Sequence, residues 1–367
     1  MLLIYLLASI FITGLSKEEK WVEIEPVHTQ YDKSIKIINS CSFNISIGVT
    51  GGYAGNIENG KCPGDNQVAD RERCFHTLVD YPERLKPLES WYTKIKQGKD
   101  EGNVVTSGNV WATKEEMYKY SCYQGKCHPW IGATGPVTKA EFTLVKEPGM
   151  DYYDISIIEG ANIPMTMFPL NPESSNPDPF YCEKAGSCEW KFDVHEHEFY
   201  YMVSDGIGED CTSHNQCKGN YICGTSFSNE YKVGICGNHV GYSSAHIHCN
   251  AGSTGFPFRC DEFKDVISCS GDYSLSGYSQ ETGPVCGCID INDYKKLHID
   301  VTGSVKCVNK DKIWKQRSLP FLVYLKRACP DAYVFAYDDM TSTFICSNVK
   351  DYVIEFCPGE SEKTFFM

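Results

Sequence analysis

Nowhere does the sequence hold about 18 consecutive apolar residues, the length a membrane-crossing helix requires, so no membrane span is expected. Basic charge is also scarce: 34 Lys and Arg stand against 48 Asp and Glu, a net charge of −14. Nucleic acid and anionic lipid are poor partners for such a chain, because both are held through clustered cations. Neutral polysaccharides and basic proteins remain open. Helical periodicity is rare, and the clearest case is Pro320 to Arg327, with Ser318 as N-cap, Pro in the first turn and Lys326-Arg327 at the negative end of the dipole. There is no repeat at fixed period and no low-complexity tract.

What is abundant is cysteine. All 20 follow the first sixteen residues, where an apolar run from Leu2 to Ile12 and the small residues of Gly14-Leu15-Ser16 read as a secretory signal peptide over 1–16. An even number of cysteines behind such a segment implies disulfides made in an oxidising, extracellular route rather than thiols or zinc. Asn44-Ile45-Ser46 is the one acceptor triplet for N-glycosylation, at Asn44.

From 35 to 50 and again from 89 to 180, short runs of Val, Ile, Tyr, Phe and Thr alternate with Gly, Pro and Asn. That is the pattern of antiparallel sheets packed face to face. Cys62 and Cys74 flank a loop-like insert that reads as a hairpin stapled to itself. A larger insert, 181–318, carries twelve cysteines among many Gly, Ser and Asn, so covalent bonds must replace a core there. Within it Cys211, Cys217, Cys223 and Cys236 read as a small knotted module.

The run Cys329-Pro-Asp-Ala-Tyr-Val-Phe-Ala-Tyr-Asp-Asp-Met-Thr-Ser-Thr-Phe-Ile-Cys346, followed by Tyr352-Val-Ile-Glu-Phe-Cys357-Pro-Gly, resembles the carboxyl end of the thaumatin-like (osmotin) family. Ile37 to Phe43, Glu89-Ser90-Trp91, Val110-Trp111-Ala112, Ala140 to Leu144 and Tyr153 to Met165 resemble its other strands, in the same order. The resemblance implies a mainly β fold, a thaumatin-like antiparallel β-sandwich formed by 17–180 and 319–367. The cysteine-rich segment 181–318 would be a disulfide-rich, loop-dominated second domain. It also implies the bridges Cys41–Cys357, Cys182–Cys346 and Cys188–Cys329, a secreted monomer, and no cofactor.

In that family a cleft is lined by one Arg, one Glu and three Asp. By resemblance Glu141 is the Glu, Asp154 the first Asp, Glu159 stands for the middle Asp and Asp338 for the last. The Arg position, after Trp111-Ala112, holds Thr113 with Lys114 beside it, which leaves the cleft short of positive charge. If Pro148-Gly149 were a two-residue loop, Glu141 would face Ser156, and Glu141 and Asp154 would be diagonal neighbours about 7–8 Å apart. Inverting glycosidases separate their carboxyl groups by about 6.5–9.5 Å. Glu159 has the wrong parity for that face.

The resemblance implies an acidic cleft for β-1,3-glucan or a related wall polysaccharide, in defence or stress. Two alternatives stand beside it: a weak endo-β-1,3-glucanase with Glu141 as acid and Asp154 as base, and a protein-binding or inhibitor module in which 181–318 meets a protein receptor. His195 and His197 would share one side of a strand, with His246, His248 and Cys249 repeating the theme, yet no third ligand converges and no metal is implied. Cys286 and Cys288 read as two structural half-cystines at a tight turn.

Overall fold

The computed structural model describes residues 33–51, 53–56, 58–61, 67–70, 73–76, 84–95, 105–115, 136–145, 149–172, 176, 178, 180–186, 200–204, 208–226, 230–251, 324–326, 328–335, 338 and 342–359. Contacts divide the chain into Met1–Gln30 and Tyr31–Met367, and every described residue lies in the second unit.

The described strands are, in chain order, β1 (Lys33–Asn39), β2 (Ile45–Gly51), β3 (Tyr53–Asn56), β4 (Gln67–Asp70), β5 (Arg73–His76), β6 (Arg84–Leu85), β7 (Ser90–Ile95), β8 (Val105–Lys114), β9 (Lys139–Val145) and β10 (Met150–Ser156). Then come β11 (Met165–Pro169), β12 (Ala185–Gly186), β13 (Tyr201–Ser204), β14 (Ile222–Ser226), β15 (Val233–Tyr242), the helix α1 (Ala245–Ala251), β16 (Phe344–Ser347) and β17 (Asp351–Phe356). One sheet has the order β12-β11-β17-β1-β7 and a second the order β16-β10-β9-β8-β2-β6. The fold is therefore mainly β, as the residue pattern implies. Two of the described strand pairings depart from the antiparallel rule, since β1 runs parallel to β17 and β13 parallel to β14.

Alternation decides which face of each strand is buried. Along β1 the buried residues are Lys33, Ile35, Ile37 and Asn39, and along β9 they are Ala140, Phe142 and Leu144. These stripes meet Ile45, Ile47, Val49, Tyr153, Ile155, Met165, Met167, Ile354 and Phe356 in one apolar cluster drawn from both sheets. A period-2 stripe is what a half-buried strand requires. Lys33 breaks the apolar rule and is the informative member. Its ammonium donates to Asp151 Oδ2 at 2.5 Å and to the Val349 carbonyl at 2.9 Å, although Lys33 is 2% exposed and Asp151 0%. Tyr352 donates to the same carboxylate at 2.6 Å and the Val145 amide to its other oxygen at 2.7 Å. Lys33 and Tyr352 belong to one sheet and Asp151 and Val145 to the other, so this cluster joins the two.

Disulfides brace the same seam. Cys41 is bonded to Cys357, and Cys182 to Cys346, across 316 and 164 residues of sequence. Cys329 is a half-cystine whose expected partner, Cys188, lies outside the described residues. Cys211 pairs with Cys223 and Cys217 with Cys236. These two bridges tie the segment 211–217 to β14 and β15, which form with β13 a set of three mutually paired strands. Tyr200, Tyr201 and Ala245 are buried in the main apolar cluster, with Ile222, Val233 and Tyr242 packed against it, so this region is built onto the sandwich.

Of the expected helix, Tyr324, Leu325, Lys326 and Ala328 are helical, and Cys329 donates its amide to the Leu325 carbonyl at 3.0 Å. Residues 318–323, with Cys62, His195, His197, Cys286 and Cys288, fall outside the described residues. Cys74 lies on β5, which pairs with β3 and β4. His246 and His248 sit on α1 rather than on a strand, so positions two apart diverge around the helix instead of sharing a side; His248 is wholly buried.

Replacing Lys33 with Met leaves Asp151 charged in the core. Removing one partner of a buried pair costs about 3–5 kcal/mol, so unfolding of Lys33→Met at pH 7 should show a loss of that order. Burial already raises the Asp151 carboxyl above its ordinary value, against the lowering effect of Lys33. A raised folded value means the folded state holds the proton more tightly. Stability is then favoured below the unfolded value and lost as pH rises through the folded one. The deficit of Lys33→Met should accordingly shrink toward pH 4, and an equal deficit at both pH values would contradict this account.

Candidate functional site

On β8, β9 and β10 the residues facing away from the core line up in rows. The ladder pairs Asn109 with Glu141 and Glu141 with Asp154. One row along, Ser107 pairs with Thr143 and Thr143 with Tyr152, and the two hydroxyls of Ser107 and Thr143 are 2.9 Å apart. On the other side Trp111 pairs with Lys139 and Lys139 with Ser156. Six of these side chains, Ser107, Asn109, Glu141, Thr143, Tyr152 and Asp154, line a cleft of about 290 Å³ together with Gly51, Gly108 and Phe142. Trp111, 1% exposed, is buried and lies outside the cleft lining. Its ring lies across Gly48, where a Cβ would come within 2.0 Å of the indole, so only glycine lets the strand and the ring approach so closely.

Glu141 and Asp154 thus stand directly opposite each other, not diagonally. The ladder is displaced by two residues from the one a two-residue Pro148-Gly149 loop would give, and a shift of two keeps both carboxylates on the same face. Facing residues have Cβ atoms about 4.5–5.5 Å apart.

The charge arrangement follows from burial. Withdrawal from water raises the Glu141 carboxyl above the ordinary carboxylate range; Lys139 and a hydrogen bond from Ser156 oppose the shift, and Glu159 adds to it. Lys139 is ion-paired with Glu159. A Glu with a raised value beside a second carboxylate has the make-up of a proton donor and its partner.

Comparison with known proteins adds a name to this geometry. The model of the thaumatin family matches residues 84–276 and 305–358, well over half of the chain. The chain belongs to the thaumatin family. Its curated relatives include pathogenesis-related thaumatin-like protein 3.5 of Cryptomeria japonica, 28% identical over 262 residues that cover 69% of this chain and 71% of that one. Pathogenesis-related protein 5 of Arabidopsis thaliana is 27% identical over 260 residues, with coverage of 69% and 71%. Among solved structures, the thaumatin-like xylanase inhibitor matches 36% of this chain and 74% of its own at 17% identity and a TM-score of 0.20. A laminaripentaose-producing β-1,3-glucanase in complex with laminaritetraose matches 88% and 98% at 10% identity and a TM-score of 0.36. Both TM-scores are low, and membership rests on the sequence match.

In this thaumatin-family chain the other expected cleft residues are placed differently. Asp338 is 1% exposed and held by Lys326, itself 0% exposed, at 2.6 Å. The same ammonium donates to Ala332 O at 2.8 Å and Ser342 Oγ at 2.7 Å, so Asp338 anchors a buried lysine and does not line the cleft. Glu159 lies beyond the end of β10 in a turn closed by Gly160, whose φ of +82° and contact with Tyr242 O suit only glycine. It acts through Lys139 rather than from the cleft wall. Thr113 is buried, and Lys114 lies 4.7 Å over the Phe43 ring, away from the carboxylates. Lys139 therefore supplies the positive charge that Thr113 and Lys114 do not. Asn44 donates to Glu115 Oε2 at 2.9 Å and Ser46 is 6% exposed, so a glycan on Asn44 would have to displace that contact.

Sequence reasoning did not single out Lys139, Asn109 or Tyr152. Their signal was parity, since each falls on the same alternate face as Glu141 or Asp154. In a carbon-13 NMR titration of side-chain carboxyls Glu141 should titrate above an ordinary Glu. Lys139→Met should move it further up and Glu159→Gln should move it down. Because the folded value is raised, the contribution of Glu141 to stability is full below the unfolded value and is lost as pH rises through the folded one. An unshifted Glu141 in all three proteins would remove burial as the controlling cause.

Proposed function

We propose that this cleft binds a neutral polysaccharide of the β-1,3-glucan type, and that the chain acts as a secreted, disulfide-braced member of its family in defence or stress. The observation that carries the reading is the Asn109-Glu141-Asp154 row beside Tyr152, which is 47% exposed. Sugars present hydroxyl donors along their edges and weakly polar C–H faces above and below the ring. Carboxylates suit the first, and an exposed phenol suits the second. A cleft rich in acceptors and open to solvent fits an uncharged chain of hydroxyls better than an acidic one.

A second reading, slow hydrolysis, is favoured by one specific feature. Glu141, raised by burial, faces Asp154 directly, and facing carboxyl groups about 5–5.5 Å apart are the retaining arrangement. In that case Glu141 would protonate the leaving oxygen and Asp154 would attack or stabilise the sugar.

Sedimentation with insoluble β-1,3-glucan, combined with an assay of new reducing ends, separates these readings. The parent protein should pellet. Glu141→Gln/Asp154→Asn should pellet at least about tenfold less well, since hydrogen bonds to charged groups contribute about 1.5–3 kcal/mol each. New reducing ends that vanish in either single variant would favour hydrolysis. A double variant that pellets like the parent would end the claim that this cleft is the binding site. A parent that does not pellet would turn attention to 181–318 and a protein receptor.

A further inference from the structure

The two disulfides of segment 211–236 lie against each other. The Sγ atoms of Cys211, Cys217 and Cys236 all fall within 4.8 Å of one another, although Cys211 is bonded to Cys223 and Cys217 to Cys236. Cys223 and Cys236 also face each other in the β14–β15 ladder. Facing residues of an antiparallel pair have Cα atoms about 4.5–5.5 Å apart, inside the span of about 4.4–6.8 Å that a disulfide bridges. Two pairings of the same four sulfurs are therefore within reach: the one present, and Cys223 with Cys236 plus Cys211 with Cys217. Burial adds a direction, because Cys211, Cys223 and Cys236 are buried whereas Cys217 is partly exposed. Little besides these sulfurs fills the segment, since its apolar cluster is the three buried half-cystines with Cys217 and Tyr221 against them.

The geometry points to Cys217 as the entry site for a low-molecular-weight thiol, from which the two bridges exchange partners. The small thiolate attacks Cys217 Sγ and forms a mixed disulfide, and the Cys217–Cys236 bond breaks with its electron pair on Cys236 Sγ. The Cys236 thiolate attacks Cys223 Sγ across the ladder, which forms Cys223–Cys236 and releases Cys211 as a thiolate. Cys211 then attacks Cys217 Sγ in the mixed disulfide, closing Cys211–Cys217 and expelling the small thiolate. Nothing is oxidised or reduced overall, and the small thiol is a catalyst. Cys182 is also partly exposed, but no third cysteine among the described residues joins its pair within that distance, so attack there has no neighbouring bridge to pass to. Exchange strips segment 211–217 of its covalent ties to β14 and β15. What remains is the Cys211 amide donating to Gly234 O at 2.8 Å, the Cys236 amide to Glu209 O at 3.0 Å and the Cys223 amide to His214 Nδ1 at 3.0 Å. The bridges thus form a latch that a thiol opens.

Peptide mapping tests this. Trypsin cleaves after Lys218 and Lys232, so with the present pairing the peptide carrying Cys211 and Cys217 stays joined to those carrying Cys223 and Cys236. After exchange it comes away, and the other two stay joined to each other. The native protein is incubated with reduced glutathione in the absence of oxidant, alkylated in denaturant, digested and read by mass spectrometry. The released peptide should appear with an internal link, and of the four cysteines Cys217 should be the one that carries glutathione. In Cys217→Ser, which leaves Cys236 a thiol beside the remaining bridge, alkylation should fall on Cys211 without any added thiol. Unchanged links in the treated parent, free thiols with no new link, or glutathione on Cys211, Cys223 or Cys236 would overturn the proposal. So would alkylation of Cys236 in Cys217→Ser.

Discussion

The buried contact of Lys33 with Asp151 organises the rest of the structure. Two sheets can share an apolar core and still slide, because apolar contact is non-directional. A charged, hydrogen-bonded cluster is directional, and Asp151 accepts from β1, from the last residue of β9 and from Tyr352 on β17. Only one relative placement of the sheets satisfies all three. The cleft lies on the opposite side of the β9–β10 ladder that carries Asp151, so the register that places Glu141 opposite Asp154 is held from behind by this cluster. Lys326 with Asp338 repeats the device near the carboxyl end, with three acceptors around one ammonium. Buried pairs of this kind are weak evidence for added stability but a well-attested means of fixing register.

Much of the fold was legible because alternation and turn residues carry it. Val110 to Ala112, Ala140 to Leu144 and the Tyr153 run mark strands by their own pattern, and the structure places β8, β9 and β10 there. What the sequence hid was pairing across distance. Nothing local in Ile35-Lys36-Ile37 says that its neighbour is Tyr352-Val353-Ile354, or that the two run parallel. Nothing in the sequence around Lys33 marks it as buried, yet it sits at a buried position of the stripe, paired with Asp151. His246 and His248 failed as a strand pair for a similar reason: packing against Ile158 and its neighbours, with Ser244 Oγ donating to Ile158 O and accepting from the Ile247 amide, sets a helix there.

The site was legible in part for the same reasons. Glu141 and Asp154 were named by resemblance, and their shared face followed from parity on adjacent strands joined by a short turn. Asp338 was misplaced because a motif position does not reveal which way a carboxylate turns, and the lysine that captures it lies twelve residues earlier. Lys139 was missed because its role comes from Glu159 curling back through the Gly160 turn. In such a surface the protonation of one carboxyl depends on a lysine, which in turn depends on a second carboxyl outside the cleft.

The bond between Cys41 and Cys357 also sets a clock. The two thiols are 316 residues apart in sequence. At synthesis rates of about 5–20 residues per second the first waits roughly 15 to 60 s for the second to be made. During that interval β1 has neither its parallel neighbour nor its covalent clasp, and Ile35 and Ile37 have no completed sheet to cover them. Other cysteines emerge meanwhile, each a wrong partner within reach. The architecture thus rewards early, local closure of Cys211 with Cys223 and Cys217 with Cys236, only 12 and 19 residues apart, which removes four competitors before the last strand arrives.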